Sequence, residues 1–212
     1  MDTQNQLPPP ALAGLTEIAP LTSPIIISDL HLAPTKPKTI MAFVRFMKTI
    51  APRYPELVIL GDLFDYWIGD DAHPEAQPVI ALLKLHAATG RRVIVMPGNR
   101  DVMLGAAFAR AAGAELIRDP IVADICGRKT LLAHGDQWCL RDVAYQKFRA
   151  LTHDSRWQAM MLMKSVEERL AIAKQARAQS ESEKGEKSMA DMDVVESAVA
   201  EAVKAAGVDL VI

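Results

Sequence analysis

The sequence predicts an α/β fold, and three observations predict it. Unbroken apolar runs rich in β-branched residues recur at Pro24-Ile25-Ile26-Ile27, Leu57-Val58-Ile59-Leu60 and Val93-Ile94-Val95-Met96, and such runs suit strands of a sheet covered on both faces. Between them the apolar residues repeat at helical spacing. Each run then breaks off into a polar cluster: Ser28-Asp29-Leu30-His31, Gly61-Asp62 and Gly98-Asn99-Arg100. Strands alternating with helices make a parallel sheet, which brings those exits to one edge, where α/β proteins collect ligands.

In chain order, residues 1–23 hold Pro8-Pro9-Pro10 and scattered polar residues and read as a flexible tail. The first strand follows. Residues 38–50 form a helix with Ile40, Phe43, Val44, Met47 and Ile50 on one face, ended by Pro52 and Pro55. After the second strand, residues 78–89 are helical, with Pro78 in the first turn and Gly90 past the end. The third strand leads to a helix over 103–112, stopped by Gly113. Short strands at 115–117, 121–125 and 129–133, punctuated by Asp119-Pro120 and Gly127-Arg128, predict a more antiparallel region that runs into His134-Gly135-Asp136. Residues 142–178 are helical throughout, 179–191 read as a polar loop, and 194–206 as an amphipathic helix. Residues 208–212 begin another buried strand. The implied division is a tail at 1–23, a core at 24–141, a helical insertion with its loop at 142–191, and a return helix and core strand at 192–212.

Composition narrows the function classes. At 212 residues, 50% hydrophobic, the chain suits one large domain or one domain with an insertion. A net charge of −2 disfavours bulk electrostatic binding to nucleic acid. Cys126 and Cys139 are the only cysteines, which fits a reducing compartment rather than a disulfide scaffold. The start lacks the basic and apolar regions of a signal peptide, and no window is apolar for long enough to span a bilayer. A cytoplasmic protein, soluble or peripheral, is expected.

The polar clusters carry the chemistry. Any one has an ordinary explanation: Asp29 as a turn cap, Gly61-Asp62 as a turn, Asn99 in a left-handed position, His134 as a satisfied core histidine. Four at four strand exits are hard to explain as turns. Two divalent metals about 3.5–4 Å apart can clamp both the attacking and the leaving oxygen of a phosphoryl transfer. Asp62 suits a bridging carboxylate, with Asp29 and His31 on one ion and Asn99 and His134 on the other. Carboxylate, amide and imidazole ligands suit two Mn²⁺, with Fe or Zn as alternatives. A water bridging the metals would serve as nucleophile. Arg100 could bind phosphate bidentately and stabilise transition-state charge.

The ordered set Asp29-x-His31, Gly61-Asp62-x-x-Asp65, Gly98-Asn99-Arg100-Asp101 and His134-Gly135-Asp136 resembles the calcineurin-like metallophosphoesterases. Within them it resembles the UDP-2,3-diacylglucosamine pyrophosphohydrolases of lipid A biosynthesis, through Asp62-Leu63-Phe64-Asp65-Tyr66-Trp67-Ile68-Gly69-Asp70-Asp71, Arg100-Asp101-Val102-Met103-Leu104-Gly105 and Met192-Asp193-Val194. The resemblance implies a layered α/β/β/α sandwich with a helical lid insertion, Mn²⁺ dependence, and hydrolysis of UDP-2,3-diacylglucosamine to UMP and 2,3-diacylglucosamine 1-phosphate. It implies a peripheral place on the cytoplasmic face of the inner membrane, with a monomer expected and no nucleic-acid partner. It places Asn99, Arg100, Asp142, Ser180, Lys184 and Lys187 against the nucleotide-sugar, with Arg177 a weaker candidate, and leaves His73, His86 and His153 structural or superficial.

The insertion is rich in apolar residues, among them Trp157, Met160, Met161, Leu162, Met163 and Val166. Spacing alone makes them a packing face, whereas a diacylated substrate would need an apolar groove. Its lysines and arginines could meet phosphates or anionic head groups, diluted by Glu167, Glu168, Glu181, Glu183 and Glu186. The family also carries a Gly-His-x-His motif after the last core strand, and no histidine follows His153 here. The expectation is a C-terminally truncated sequence, poorly active and quick to lose metal. The alternatives are another metallophosphoesterase, acting on phosphoproteins or cyclic nucleotides, or a degenerate, non-catalytic scaffold.

Overall fold

Four large apolar residues in succession, Leu57-Val58-Ile59-Leu60, cannot share one face of a strand, because side chains alternate. In the computed structural model, which describes residues 7–8, 12, 15–184 and 192–212, they serve two cores. Leu57 and Ile59 pack on helices, while Val58 and Leu60 join a separate cluster with residues of a second sheet. Their strand, β3 (Glu56–Leu60), is buried along its whole length.

β3 lies in an all-parallel sheet of order β2-β3-β4-β5, with β2 (Pro24–Ile27), β4 (Arg92–Met96) and β5 (Glu115–Leu116). Helices α1 (Pro37–Thr49), α2 (Gln77–Ala88) and α3 (Ala106–Ala112) cover one face. Phe43 and Met47 of α1, Val79, Ile80 and Leu83 of α2, and Phe108 of α3 meet Leu57, Ile59, Val93 and Val95 there. Burying each such side chain contributes roughly 1.5–3 kcal/mol. The other face packs on a second sheet of order β1-β6-β7-β8, comprising β1 (Glu17–Leu21), β6 (Ile121–Ile125), β7 (Arg128–Leu132) and β8 (Leu210–Val211). Leu21, Ile121, Ala123 and Leu132 fill that interface with Val58, Leu60, Ile94 and Met96. Helix layer and two sheets make up one unit, Gly14–His134 with Val208–Ile212.

In this unit three elements differ from the sequence reading. The stretch read as tail to residue 23 contains β1, which pairs in parallel with β6. Its register shifts between Ile18 and Leu21, and Pro20 sits in it, as an edge strand tolerates; the shift erased the two-residue alternation that reveals a strand. β5 pairs in parallel with β4, so within 115–133 only β6 and β7 are antiparallel. α3 begins at Ala106 rather than 103, because the Asp70 carboxylate accepts from the N–H groups of Gly105, Ala107 and Phe108 and fixes the helix start. β8 runs parallel to β7, and Ile212 O accepts from Ala133 N–H, one residue before His134.

The second unit, Gly135–Gly207 with the described residues before Gly14, is helical: α4 (Val143–Thr152), α5 (Ser155–Leu162), α6 (Val166–Lys184) and α7 (Glu196–Ala206). Asp142 and Asp154 cap α4 and α5 through their carboxylates. α6 runs on through residues 179–184, read from sequence as loop, because Gln179, Glu181, Glu183 and Lys184 are good helix formers and no Gly or Pro interrupts them. Met161 is buried, but Phe148, Leu151, Met160, Leu162 and Met163 are exposed, Met163 at 88%. Among the described residues no helix is long and apolar enough to cross a membrane.

Candidate metal centre

Parallel pairing carries Asp29, His31 and Asp62 to one place. Beyond the regular strands the β2–β3 ladder continues in distorted form: Asp29 N–H donates to Gly61 O, His31 N–H to Asp62 O and Leu32 N–H to Leu63 O, at 2.9–3.2 Å. Asp29, His31 and Asp62 all take positive φ, 54°, 47° and 54°, a conformation that L-residues hold only when their surroundings impose it. At Asp62 the neighbouring loop approaches closely. A Cβ on Gly98 would lie 2.3 Å from Asp62 Oδ1 and 2.5 Å from Asp62 N, so only glycine lets the β4 exit meet the β3 exit.

The structure brings all five sequence-predicted ligands into this one unit. Donor atoms of Asp29, Asp62 and His134 lie within 4.8 Å of one another. His31 Nδ1 is 3.6 Å from Asp62 Oδ2, and His134 Nε2 is 3.7 Å from Asp62 Oδ1. The Asn99 amide closes the group, with Oδ1 3.3 Å from His134 Nε2. Turned one way, its NH₂ donates to Asp62 Oδ2 at 2.9 Å; turned the other, its oxygen joins the carboxylate as a cation ligand. His134 Nδ1 lies 3.1 Å from Leu60 O, a contact that places the proton on Nδ1 and leaves Nε2 the lone pair toward Asp62.

Electrostatics agree with a cation site. Burial pushes the Asp62 carboxyl up to about 6; Asp29 reinforces that shift, while His134 and the Arg100 N–H oppose it. Burial first, then Arg100 and Lys36, lower the His31 imidazole, which favours the neutral form that ligates metal. His31 Nδ1 is buried with no hydrogen-bond partner, and such an atom facing a carboxylate fits a divalent ion between them. The residues present therefore fit a divalent metal.

Arg100 is held at its backbone: its N–H donates to Asp62 Oδ1 at 2.8 Å and its O accepts from Trp67 N–H at 3.0 Å. Trp67 in turn donates through Nε1 to Asp70, stacks on His73 at 4.3 Å and packs against Phe64 and Phe108. The aromatic part of the 62–71 signature is thus the scaffold under Arg100, and His73 is structural, accepting from Ile68 N–H. Asp65 is buried and pairs with Lys36 at 2.9 Å.

The remaining predicted contacts belong to the helical unit. Asp142 caps α4, its Oδ1 accepting from Tyr145 N–H at 3.0 Å. Ser180 is exposed on α6 and Lys184 is the last residue of that helix, while Lys187 lies outside the described residues. Sequence reasoning missed Asp136 as a clasp: its carboxylate accepts from Tyr145 Oη and, at 2.9 Å, from Arg149 Nε, which anchors α4. Asp136 lies two residues after the predicted ligand His134, and its partners at i+9 and i+13 follow no local sequence pattern that would have revealed them.

Comparison with known proteins agrees with this geometry. The family model described as calcineurin-like phosphoesterase matches residues 24–212. A UDP-2,3-diacylglucosamine hydrolase of Bordetella pertussis is 42% identical over 190 residues, covering 88% of this chain and 74% of that protein. One from Xanthomonas campestris pv. campestris is 46% identical over 168 residues, 79% of this chain and 68% of the relative. One from Chromobacterium violaceum is 45% identical over 184 residues, 85% and 77%. A match that runs from β2 to β8 and takes in Asp29, His31, Asp62, Asn99 and His134 makes the chain a member of the calcineurin-like phosphoesterase family.

Proposed function

We propose that the chain hydrolyses the pyrophosphate of UDP-2,3-diacylglucosamine to UMP and 2,3-diacylglucosamine 1-phosphate, a step of lipid A biosynthesis. The observation that carries this reading is the identity of 42–46% over most of the chain to proteins named as hydrolases of that compound. Asp29 and His31 would hold one divalent cation and Asn99 and His134 the other, with Asp62 between them. The mixed donor set favours Mn²⁺, with Fe or Zn as alternatives. When bound, the cations supply Lewis acidity at the phosphoryl oxygens and make water a nucleophile near neutral pH.

The chain's own residues do the rest. Arg100, fixed through its backbone to Asp62 and Trp67, offers its guanidinium to a phosphate oxygen pair and balances the charge of the departing phosphate. Asp142, Ser180, Lys184 and Lys187 would contact the nucleotide-sugar. The exposed Phe148, Leu151, Met160, Leu162 and Met163 support contact with acyl chains and with lipid at the cytoplasmic face of the inner membrane. A monomer suffices for this chemistry.

The test is to incubate the purified chain with UDP-2,3-diacylglucosamine and Mn²⁺ in ¹⁸O-labelled water and to follow products by phosphorus NMR and mass spectrometry. The expected result is metal-dependent release of UMP and the sugar 1-phosphate, with label in one of the two. Cleavage of another phosphoester in preference to this pyrophosphate would overturn the substrate assignment.

A further inference from the structure

Asp101 has no access to solvent, and neither the ligand set nor the phosphate-binding role uses it. Its carboxylate meets three backbone N–H groups: Oδ1 accepts from Gly98 at 2.7 Å and from Asp62 at 3.3 Å, and Oδ2 accepts from Phe64 at 3.2 Å. Among the described residues no lysine, arginine or histidine pairs with it. A buried carboxylate without a cation costs stability, even when hydrogen-bonded. The position of its donors explains what that cost maintains.

Gly98 belongs to the loop after β4, and Asp62 and Phe64 belong to the loop after β3. One side chain therefore ties together the two loops that deliver Asp62, Asn99 and Arg100. The tie acts where the backbone is least willing: Asp62 sits at φ 54°, and Gly98 approaches so closely that a Cβ would overlap the Asp62 carboxylate. N–H groups from both sides of that approach point at the same carboxylate. Without it, three buried donors lose their acceptor, and the two loops keep the Arg100 backbone bonds to Asp62 and Trp67 but lose the tie at Gly98 and Phe64.

We propose that Asp101 is a positioning residue of the metal centre, whose carboxylate fixes the backbones of Asp62 and Gly98 so that Asp62 and Asn99 converge on one cation. Supports of this kind, behind the ligands themselves, set ligand orientation. The proposal rests on the metal centre and not on the lipid substrate, so binding of metal alone tests it.

The experiment measures Mn²⁺ affinity by equilibrium dialysis with elemental analysis, on the full chain and on Asp101→Asn and Asp101→Glu. Far-UV circular dichroism and melting of the metal-free forms are recorded in parallel. Asn keeps the shape but turns an NH₂ toward backbone donors. Glu keeps the charge and both acceptor oxygens but is one methylene too long. Both are expected to bind Mn²⁺ about 10–100-fold more weakly than the parent, with the parent's secondary structure. Glu carries the test if Asn does not fold. Parent affinity in the variants, with or without a lower melting temperature, overturns this role alone, and so does loss in Asn with full retention in Glu, since charge would then suffice. A parent chain that binds no divalent cation overturns both the role and the centre it serves.

Discussion

Two places in the core unit join a non-glycine residue of positive φ to a glycine of positive φ, for opposite reasons. The β6–β7 hairpin turns through Cys126 and Gly127, at 53° and 83°; the β3 exit runs through Gly61 and Asp62, at 83° and 54°. The dihedrals are nearly the same pair in reverse order. At the hairpin they are what a two-residue turn between twisted strands requires, and a Cβ on Gly127 would meet nothing within 4 Å. At the β3 exit no hairpin exists, because the chain goes on to a parallel strand. A Cβ on Gly61 would lie 2.3 Å from His134 Nδ1 and 2.9 Å from Gly98 Cα. There the conformation is held from outside, by Asp101, by the Arg100 N–H and by the second sheet's His134. Strain that answers a turn is local and cheap to alter; strain imposed by converging loops marks a site.

The largest expected effect is at that exit. Asp62→Ala removes the carboxylate that the other ligands face, and metal-dependent UMP release should fall by about a thousandfold or more, with the circular dichroism unchanged. Activity that survived would break the assignment of Asp62 as the central ligand. Gly98→Ala comes next. Its Cβ must displace the Asp62 carboxylate and backbone, neither of which is a flexible side-chain end, so denaturant titration should show a loss of about 3 kcal/mol or more, accompanied by loss of metal. A well-folded Gly98→Ala that still bound Mn²⁺ would mean the two loops are not in forced contact. At position 62 itself, Gly should give a metal-free protein more stable than Ala by about 1 kcal/mol, the left-handed penalty on a Cβ. Equal stabilities would show that the conformation relaxes once the carboxylate is gone.

The contrast also explains what the sequence could reveal. Asp29, His31, Asp62, Asn99 and His134 were legible because strand and helix periods are local, and parallel strands put every exit on one edge. The two-core use of β3 was legible in its unbroken apolar run. β1 was not, since its register shift and Pro20 hide the alternation. Asp70, Asp101 and Asp136 are acids whose partners are backbone N–H groups or side chains set by loop and helix geometry. Such donors leave no trace in residue identity, so a motif acid that supports the site looks the same in sequence as one that binds metal.

The smallest effects belong to the hairpin and show whether its strain is of the ordinary kind. Gly127→Ala places a Cβ at φ 83° in open space, so only the backbone penalty of about 1 kcal/mol should appear, with metal binding intact. A larger loss, or any loss of metal, would tie this turn to the centre and erase the distinction drawn above. Cys126→Asn should go the other way. Asn accepts the left-handed conformation better than other side chains, and Asn-Gly is the favoured pair for such a turn. The substitution gives up the Cys126 Sγ contact to Thr22 O at 3.1 Å, but a thiol is a weak donor. The balance is a gain of about 0.5 kcal/mol or less, readable as a small rise in the denaturation midpoint at constant slope. A clear loss instead would show that the thiol contact, which joins the hairpin to the β1–β2 connection, outweighs the turn's own preference.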